Sequence, residues 1–372
     1  MAFFKYSEYK MTGVHKRVRL KDIAAELGLS AATVSLCLKD QRGKYQVNAE
    51  TVRKVREFAG KVGYVPDRTA RNLKQGSNRC VGLLTNHHWR AGQKCLPAVF
   101  AAEQQLSAAG IECRQLSSRD QMEGIRQLRE LNCHEIIIFD PVVDNCSWGN
   151  VTSTAEMIVQ QIPGVTVYAV DYSVHEEVPA KNSLPLIRLG VKVWDFQSRL
   201  MKVMQKYYPG EIMMHSWRCS MPYIAELRTR TPELVFNINN ENPFKIGAAG
   251  AQQFLQARKK YNITNVFWGD DRMACGFVNE LIQAGVNVPE EVNVISFDNL
   301  EFSRYLAIPL TTWGVPIMQH TQLVLESLLN QTPLPDKISL PVLSQGKSAR
   351  LTDEILAELA PYCQLANDEE CF

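Results

Sequence analysis

The apolar spacing of residues 18–38 constrains this chain more than any other feature. Leu20, Ile23, Ala24 and Leu27 recur at steps of three and four, which gives one face of a short helix. Gly28 can take the left-handed conformation that ends it, and Ser30 is a good N-cap for a second helix. In that helix Val34, Cys37 and Leu38 repeat the inward spacing, so Ala31, Ala32, Ser35 and Leu36 face outward. Two short helices meeting at a glycine turn, the second led by small residues, form a helix-turn-helix able to enter a major groove. Asn48 is placed to cap a third helix whose Val52, Val55, Ala59 and Val62 close a small core. Arg53, Lys54, Arg56 and Lys61 point away from that core, toward phosphates or water. Gly63 ends the third helix and Pro66 prevents its continuation.

Charge is unevenly shared. The chain has 372 residues, enough for two or three domains, and a formal net charge of only +2. Residues 1–79 nevertheless hold 17 Lys+Arg against 7 Asp+Glu, a net of +10, and the rest carries −8. A basic head on an acidic body directs phosphate binding to one end. No run of about twenty apolar residues predicts a membrane span, and the N-terminus lacks an apolar signal core, so a cytoplasmic protein is expected. Ten cysteines without a CxxC pair read as reduced thiols. His87 and His88 have no third ligand at useful spacing, and neither a metal nor a cofactor is expected. The absence of Gly-x-Ser-x-Gly, Walker and His-Glu-x-x-His motifs argues against an enzyme.

From Cys80 onward strands and helices alternate. Strands are expected at 81–84, 111–116, 135–139 and 165–169, with helices at 96–109 and 121–131. The rhythm restarts after a helix over 196–208, with strands near 211–214, 234–238, 266–268 and 292–297. Two parallel sheets, each covered on both faces, imply two lobes with a ligand crevice beyond the strand ends.

The runs Leu20-Lys21-Asp22-Ile23-Ala24, Ala32-Thr33-Val34-Ser35, Gly63-Tyr64-Val65-Pro66 and Ala70-Arg71-Asn72-Leu73 resemble the DNA-binding head of the LacI/GalR regulators. In the body, Gly269-Asp270-Asp271-Arg272-Met273-Ala274, Ile295-Ser296-Phe297-Asp298 and Pro309-Leu310-Thr311-Thr312 are similar to the second lobe of the same family. The resemblance implies an all-α helix-turn-helix head on an α/β body of two periplasmic-binding-protein-like lobes with parallel sheets. It divides the chain into an N-terminal extension (1–17), a DNA-binding domain (18–65), a hinge helix and linker (66–79), a two-lobed effector-binding and dimerisation domain (80–350) and a C-terminal tail (351–372).

By the same resemblance, a homodimer binds a pseudo-palindromic double-stranded operator through Leu20, Ala31, Ala32, Thr33, Ser35, Leu36 and Tyr64. Hinge helices paired in the minor groove bring Ala70 close and wedge Leu73 into the central base step. Leu36 stands where many relatives carry arginine, so a bidentate contact to guanine is lost and the operator sequence is open. Asp171, Arg218, Phe244, Asp270 and Asp298 are the matched or nearest candidates for binding a small-molecule effector, a sugar or sugar derivative. Asp271 either caps the helix beginning near Arg272 or contacts ligand. Trp89, Phe244 and Trp268 are candidates to stack on a sugar face, with core packing the alternative for Trp268. The expected function is a repressor of carbohydrate-related genes; a solute-binding protein with the same body and no regulatory role is the alternative.

Overall fold

A computed structural model describes residues 18–38, 47–64, 79–86, 89–118, 120–139, 158, 160–173, 186–215, 231–236, 242–335 and 337–366. The chain divides into two compact units, Met1–Asn78 and Arg79–Phe372. In the first, helices α1 (Leu20–Glu26), α2 (Ala31–Leu38) and α3 (Ala49–Lys61) enclose Ile23, Ala24, Val34, Cys37, Val55 and Ala59. Local chemistry sets each boundary. The Arg19 amide donates to the Asp22 carboxylate at 2.8 Å, and Gly28 turns the chain at φ 61°. Ser30 accepts from the Thr33 amide at 3.0 Å, and Asn48 accepts from the Glu50 amide at 3.0 Å.

The second unit contains two sheets among its described residues. The first runs β11-β5-β4-β3-β1-β2, built from β1 (Cys80–Asn86), β2 (Glu112–Ser118), β3 (Glu135–Phe139), β4 (Thr166–Ser173), β5 (Leu186–Val191) and β11 (Lys337–Ser339). The second runs β13-β12-β10-β9-β8-β6-β7. It comprises β6 (Glu211–His215), β7 (Val235–Phe236), β8 (Ile263–Phe267), β9 (Asn293–Phe297), β10 (Thr311–Gly314), β12 (Val342–Ser344) and β13 (Gln364–Leu365). Every pairing is parallel except β10 with β12. Strands covered on both faces carry continuous apolar runs such as Ile136-Ile137-Ile138, all three buried. The orders β2-β1-β3-β4-β5 and β7-β6-β8-β9-β10 repeat one winding, so each lobe offers a crevice at the carboxyl ends of its strands.

Helices α4 (Trp89–Ala108) and α5 (Gln121–Glu130) cover the first sheet; α6 (Val193–Tyr207), α7 (Pro243–Ala257) and α8 (Asp271–Gln283) belong to the second lobe. The chain then returns. Helix α9 (Ile317–Asn330) places Val324, Leu325 and Leu328 in the core of the first lobe beside Leu106 and Tyr168, and β11 joins β5. The strands β12 and β13 then go back to the second sheet. The lobes are thus joined by three crossings, near residues 192, 316 and 341. The expected tail is corrected here. Thr352 caps helix α10 (Asp353–Leu359), whose Ile355 and Leu359 are buried in the second lobe, and β13 extends its sheet. Residues 351–366 are structural because Leu351, Ile355, Leu359 and Cys363 give the segment a buried face.

Helices α7 and α8 approach backbone to backbone. A Cβ on Gly247 would collide with the Met273 carbonyl, and one on Gly276 with the Phe244 carbonyl. Gly276→Ala is therefore expected to force the helices apart at a cost of roughly 1–3 kcal/mol or more. A urea midpoint equal to that of the unchanged chain would show that this crossing tolerates a side chain.

Candidate nucleic-acid interface and effector crevice

Helix α2 opens with two exposed alanines, Ala31 and Ala32, while Ser35 and Leu36 are half-buried and Leu36 stays outside the apolar cluster. Leu20 and Tyr64 pack against that cluster, so both support the head core. Thr33, expected to bond phosphate, has its hydroxyl 2.8 Å from the Ser30 hydroxyl, and its amide joins the same cap. Three basic residues of α3 also have partners. Arg53 faces Glu57 at 3.6 Å, Lys54 faces Glu50 at 2.9 Å, and Arg56 donates Nε to the Cys37 carbonyl at 3.1 Å. The first two pairs are exposed and screened by water, weak enough for a phosphate to displace; Arg56 instead ties α3 to the end of α2. Ala70 and Leu73 lie outside the described residues.

In the body, the paired aspartates exchange the roles open to them. Asp270, not Asp271, is the N-cap of α8, because the helix begins one residue earlier than expected. Its Oδ1 accepts from the Arg272 amide at 2.8 Å and from Arg272 Nε at 2.9 Å, and Oδ2 accepts from the Arg272 guanidinium at 2.5 Å. Both side chains are buried, so this effector candidate is already matched by a fork-shaped cation. Asp271 turns into the lobe. It accepts from Ser296 Oγ and Thr312 Oγ1 at 2.5 Å each and from the Leu300 amide at 2.6 Å. Burial pushes its carboxyl up to about 8, against the pull of those three donors.

Asp298 follows β9 with φ 107°, and Asn299 follows with φ 53°, a left-handed turn that non-glycine residues adopt at a cost. The surroundings hold it. The Asp298 amide donates to the Trp313 carbonyl at 2.9 Å, the Asn299 amide to Thr312 Oγ1 at 3.2 Å and the Leu300 amide to Asp271. Ser344 Oγ donates to Asn299 Oδ1 at 2.6 Å. The Asp298 carboxylate meets Lys94 Nζ of the first lobe at 3.1 Å. A cavity of about 270 Å³ opens beside this pair, lined also by Phe302, Pro316, Met318 and Gln364. Burial raises the Asp298 carboxyl to about 6, with Lys94 opposing the rise.

The other candidates are dispersed. Phe244 is exposed at the start of α7 and faces Phe302 with ring centroids 6.2 Å apart. Asp171 lies on β4 but its side chain is outside the described residues, as are Arg218, His87, His88 and the Trp89 side chain. Trp268 is buried and stacked on Phe236 at 4.3 Å, which makes it core. Lys94 and Arg272, the cations that engage Asp298 and Asp270, carry no sequence signal that singles them out.

A capped helix-turn-helix joined to a doubly wound, two-lobed body defines a DNA-binding transcription regulator. Residues 19–67 match the model for bacterial regulatory proteins of the lacI family, and residues 228–348 match a periplasmic binding protein-like domain. The chain thus carries a lacI-family DNA-binding domain followed by a periplasmic binding protein-like domain. It is 24% identical over 351 residues to the HTH-type transcriptional regulator AscG of Escherichia coli, covering 90% of this chain and 98% of that one. It is 22% identical over 342 residues to the ribose operon repressor of Haemophilus influenzae, covering 86% and 93% respectively. The lac repressor dimer bound to operator and the anti-inducer ONPF shares the fold, with a TM-score of 0.63 at 18% identity over 90% of this chain and 99% of that one. No described helix is long and apolar enough to cross a membrane.

The second crossing between the lobes carries a titratable group with a measurable signature. His320, fully buried on α9, shares a hydrogen bond with Ser339 Oγ of β11 through Nε2 at 3.0 Å. Burial, helped by the Lys337 charge, lowers its pKa from 6.5 to about 4. The unfolded chain therefore takes up this proton first. The contribution of His320 to stability is complete above about pH 6.5 and is lost as pH falls toward 4. Between about pH 7 and pH 5 the loss is roughly 2 kcal/mol. Urea titrations should show this extra acid sensitivity in the unchanged chain and not in His320→Gln; equal slopes would contradict the assignment.

Proposed function

We propose that this regulator is a repressor that binds a pseudo-palindromic operator as a homodimer and responds to a small molecule held between its lobes. It works by binding rather than catalysis, and in the cytoplasm. The observation that carries this reading is the head itself: three capped helices around one core, with Ala31 and Ala32 exposed at the start of the helix that would enter the groove. Ala70 and Leu73 are proposed as the minor-groove contacts of a hinge helix. A carbohydrate-related effector is favoured by the ribose operon repressor and by the cellobiose complex of the regulator CelR, which shares the fold with a TM-score of 0.52 at 18% identity. The crevice residues proposed to meet it are Asp298, Asp171 and the Asp270–Arg272 pair. Asp270, Asp271 and Asp298 each already have donors or cations within the chain, which suits a binding site better than acid–base chemistry.

Selection from random DNA tests the first part. It should return a two-fold motif whose affinity falls by roughly 10³-fold or more between about 50 and 200 mM salt, if six or more phosphates are contacted. Recovery of asymmetric single half-sites would overturn the dimeric mode. Leu36→Arg should move one position of each half-site toward guanine, by about 1–3 kcal/mol of discrimination, and an unchanged motif would place this side chain away from the bases.

A further inference from the structure

The second lobe presents a socket shaped for an ammonium group, and the first lobe fills it. The Asp298 carboxylate receives Lys94 Nζ at 3.1 Å, and the same nitrogen sits 5.1 Å from the centroid of the Phe297 ring. A carboxylate beside an aromatic face, both withdrawn from water, is a cation site; the Lys94 and Asp298 side chains are only 11% and 12% exposed. The frame of the socket is built within the second lobe. Phe297 is held edge-on by Trp313 at 4.6 Å, and the left-handed turn at Asp298 is fixed by backbone donors to Trp313, Thr312 and Asp271. Gly314 leaves room for that turn: a Cβ there would stand 3.1 Å from the Asp298 carbonyl group. The charged groups facing Asp298 are Lys94 of α4 together with Asp270, Asp271 and Arg272 at the start of α8. Asp270 and Arg272 answer each other, so Lys94 is the cation that meets Asp298 across the crevice.

We infer that Lys94 is a tethered occupant of this socket, and that small molecules bearing a primary ammonium, such as amines or amino sugars, compete with it for Asp298. The inference rests on the crevice being the effector site, and it names the ligand chemistry and direction of regulation there. A neutral polyol that displaced Lys94 would leave a buried carboxylate without a counter-charge, which is costly. An ammonium ligand restores the charge balance and frees Lys94, so the pair joining the lobes is lost and the crevice opens. Control of the lobes is then an exchange of one cation for another.

Hydrogen exchange read by mass spectrometry on the full chain, without DNA, tests this. Lys94→Ala should accelerate exchange at residues 298–302 by roughly a hundredfold or more, the scale of a broken buried pair. n-Butylammonium, which matches the missing side chain, should bind Lys94→Ala by calorimetry and restore that protection, whereas butanol should not. Adding Asp298→Asn should abolish the rescue. In the unchanged chain the same amine should accelerate exchange at 298–302. Unaltered exchange in Lys94→Ala, or amine binding that survives Asp298→Asn, overturns the inference; Lys94→Met, which keeps the stem, serves the same comparison if Lys94→Ala does not fold. Since no operator enters the experiment, a failure of DNA selection bears on the regulator reading alone.

Discussion

Three donors from three different elements converge on Asp271: a serine hydroxyl of β9, a threonine hydroxyl of β10 and the amide that closes the Asp298 turn. The carboxylate itself stands at the first turn of α8, one residue after the capping Asp270. This contact sets the register of a helix against two strands and a loop. Removing the acceptor would strand donors in the interior at about 1–3 kcal/mol each, so the arrangement is held as a unit. The crevice inherits that rigidity. Asp298 keeps an unfavourable backbone because its neighbours on both sides are fixed, and a strained residue persists only where its surroundings over-determine it.

Rigidity within each lobe gives meaning to the contacts between them. Three crossings tie the lobes, and α9 returns to the first lobe only after the second has been built, so neither lobe is a continuous segment. Motion is thereby confined to the crossings and the crevice. A ligand shifts such an equilibrium only by its differential affinity for the two arrangements. The Lys94–Asp298 pair supplies a concrete difference: it exists in one arrangement and must be broken in the other. His320, seated just after the second crossing, bonds β11 and so ties the returning helix to the sheet of the first lobe.

Much of this was legible in the order of residues, and the boundary of legibility is physical. The head was readable because its information is local: three- and four-residue apolar steps, a left-handed glycine at 28, and capping side chains at 30 and 48. Strands buried on both faces announce themselves as short apolar runs, and β3, β6 and β9 fall where such runs predict them. Strand β5 was not foreseen, because Arg188 and Gly190 interrupt its run, although all six residues are buried. The segment 351–366 looked like a tail because its apolar positions find partners only in a distant sheet. At the crevice, the sequence offers Asp271 as cap or ligand contact, and the earlier start of α8 gives the cap to Asp270 instead. Lys94 and Asp298 meet from opposite lobes, and nothing in either local sequence encodes that meeting.

The head raises a question of specificity that its own chemistry narrows. A recognition helix beginning Ala31-Ala32, with Thr33 engaged by the Ser30 cap and an aliphatic Leu36, offers few groups that can hydrogen-bond a base edge. What remains is apolar: alanine and leucine can touch a thymine methyl, and small side chains let the helix sit deep in the groove. Discrimination must then draw on methyl contacts and on the cost of deforming the duplex, which varies with sequence even at untouched positions. Affinity has a separate source. The +10 charge of residues 1–79, set against −8 on the rest, supplies a phosphate attraction that reads no sequence. The proposed binding mode then implies a division of labour, in which charge brings the head to DNA and shape with methyl contacts chooses where it stays.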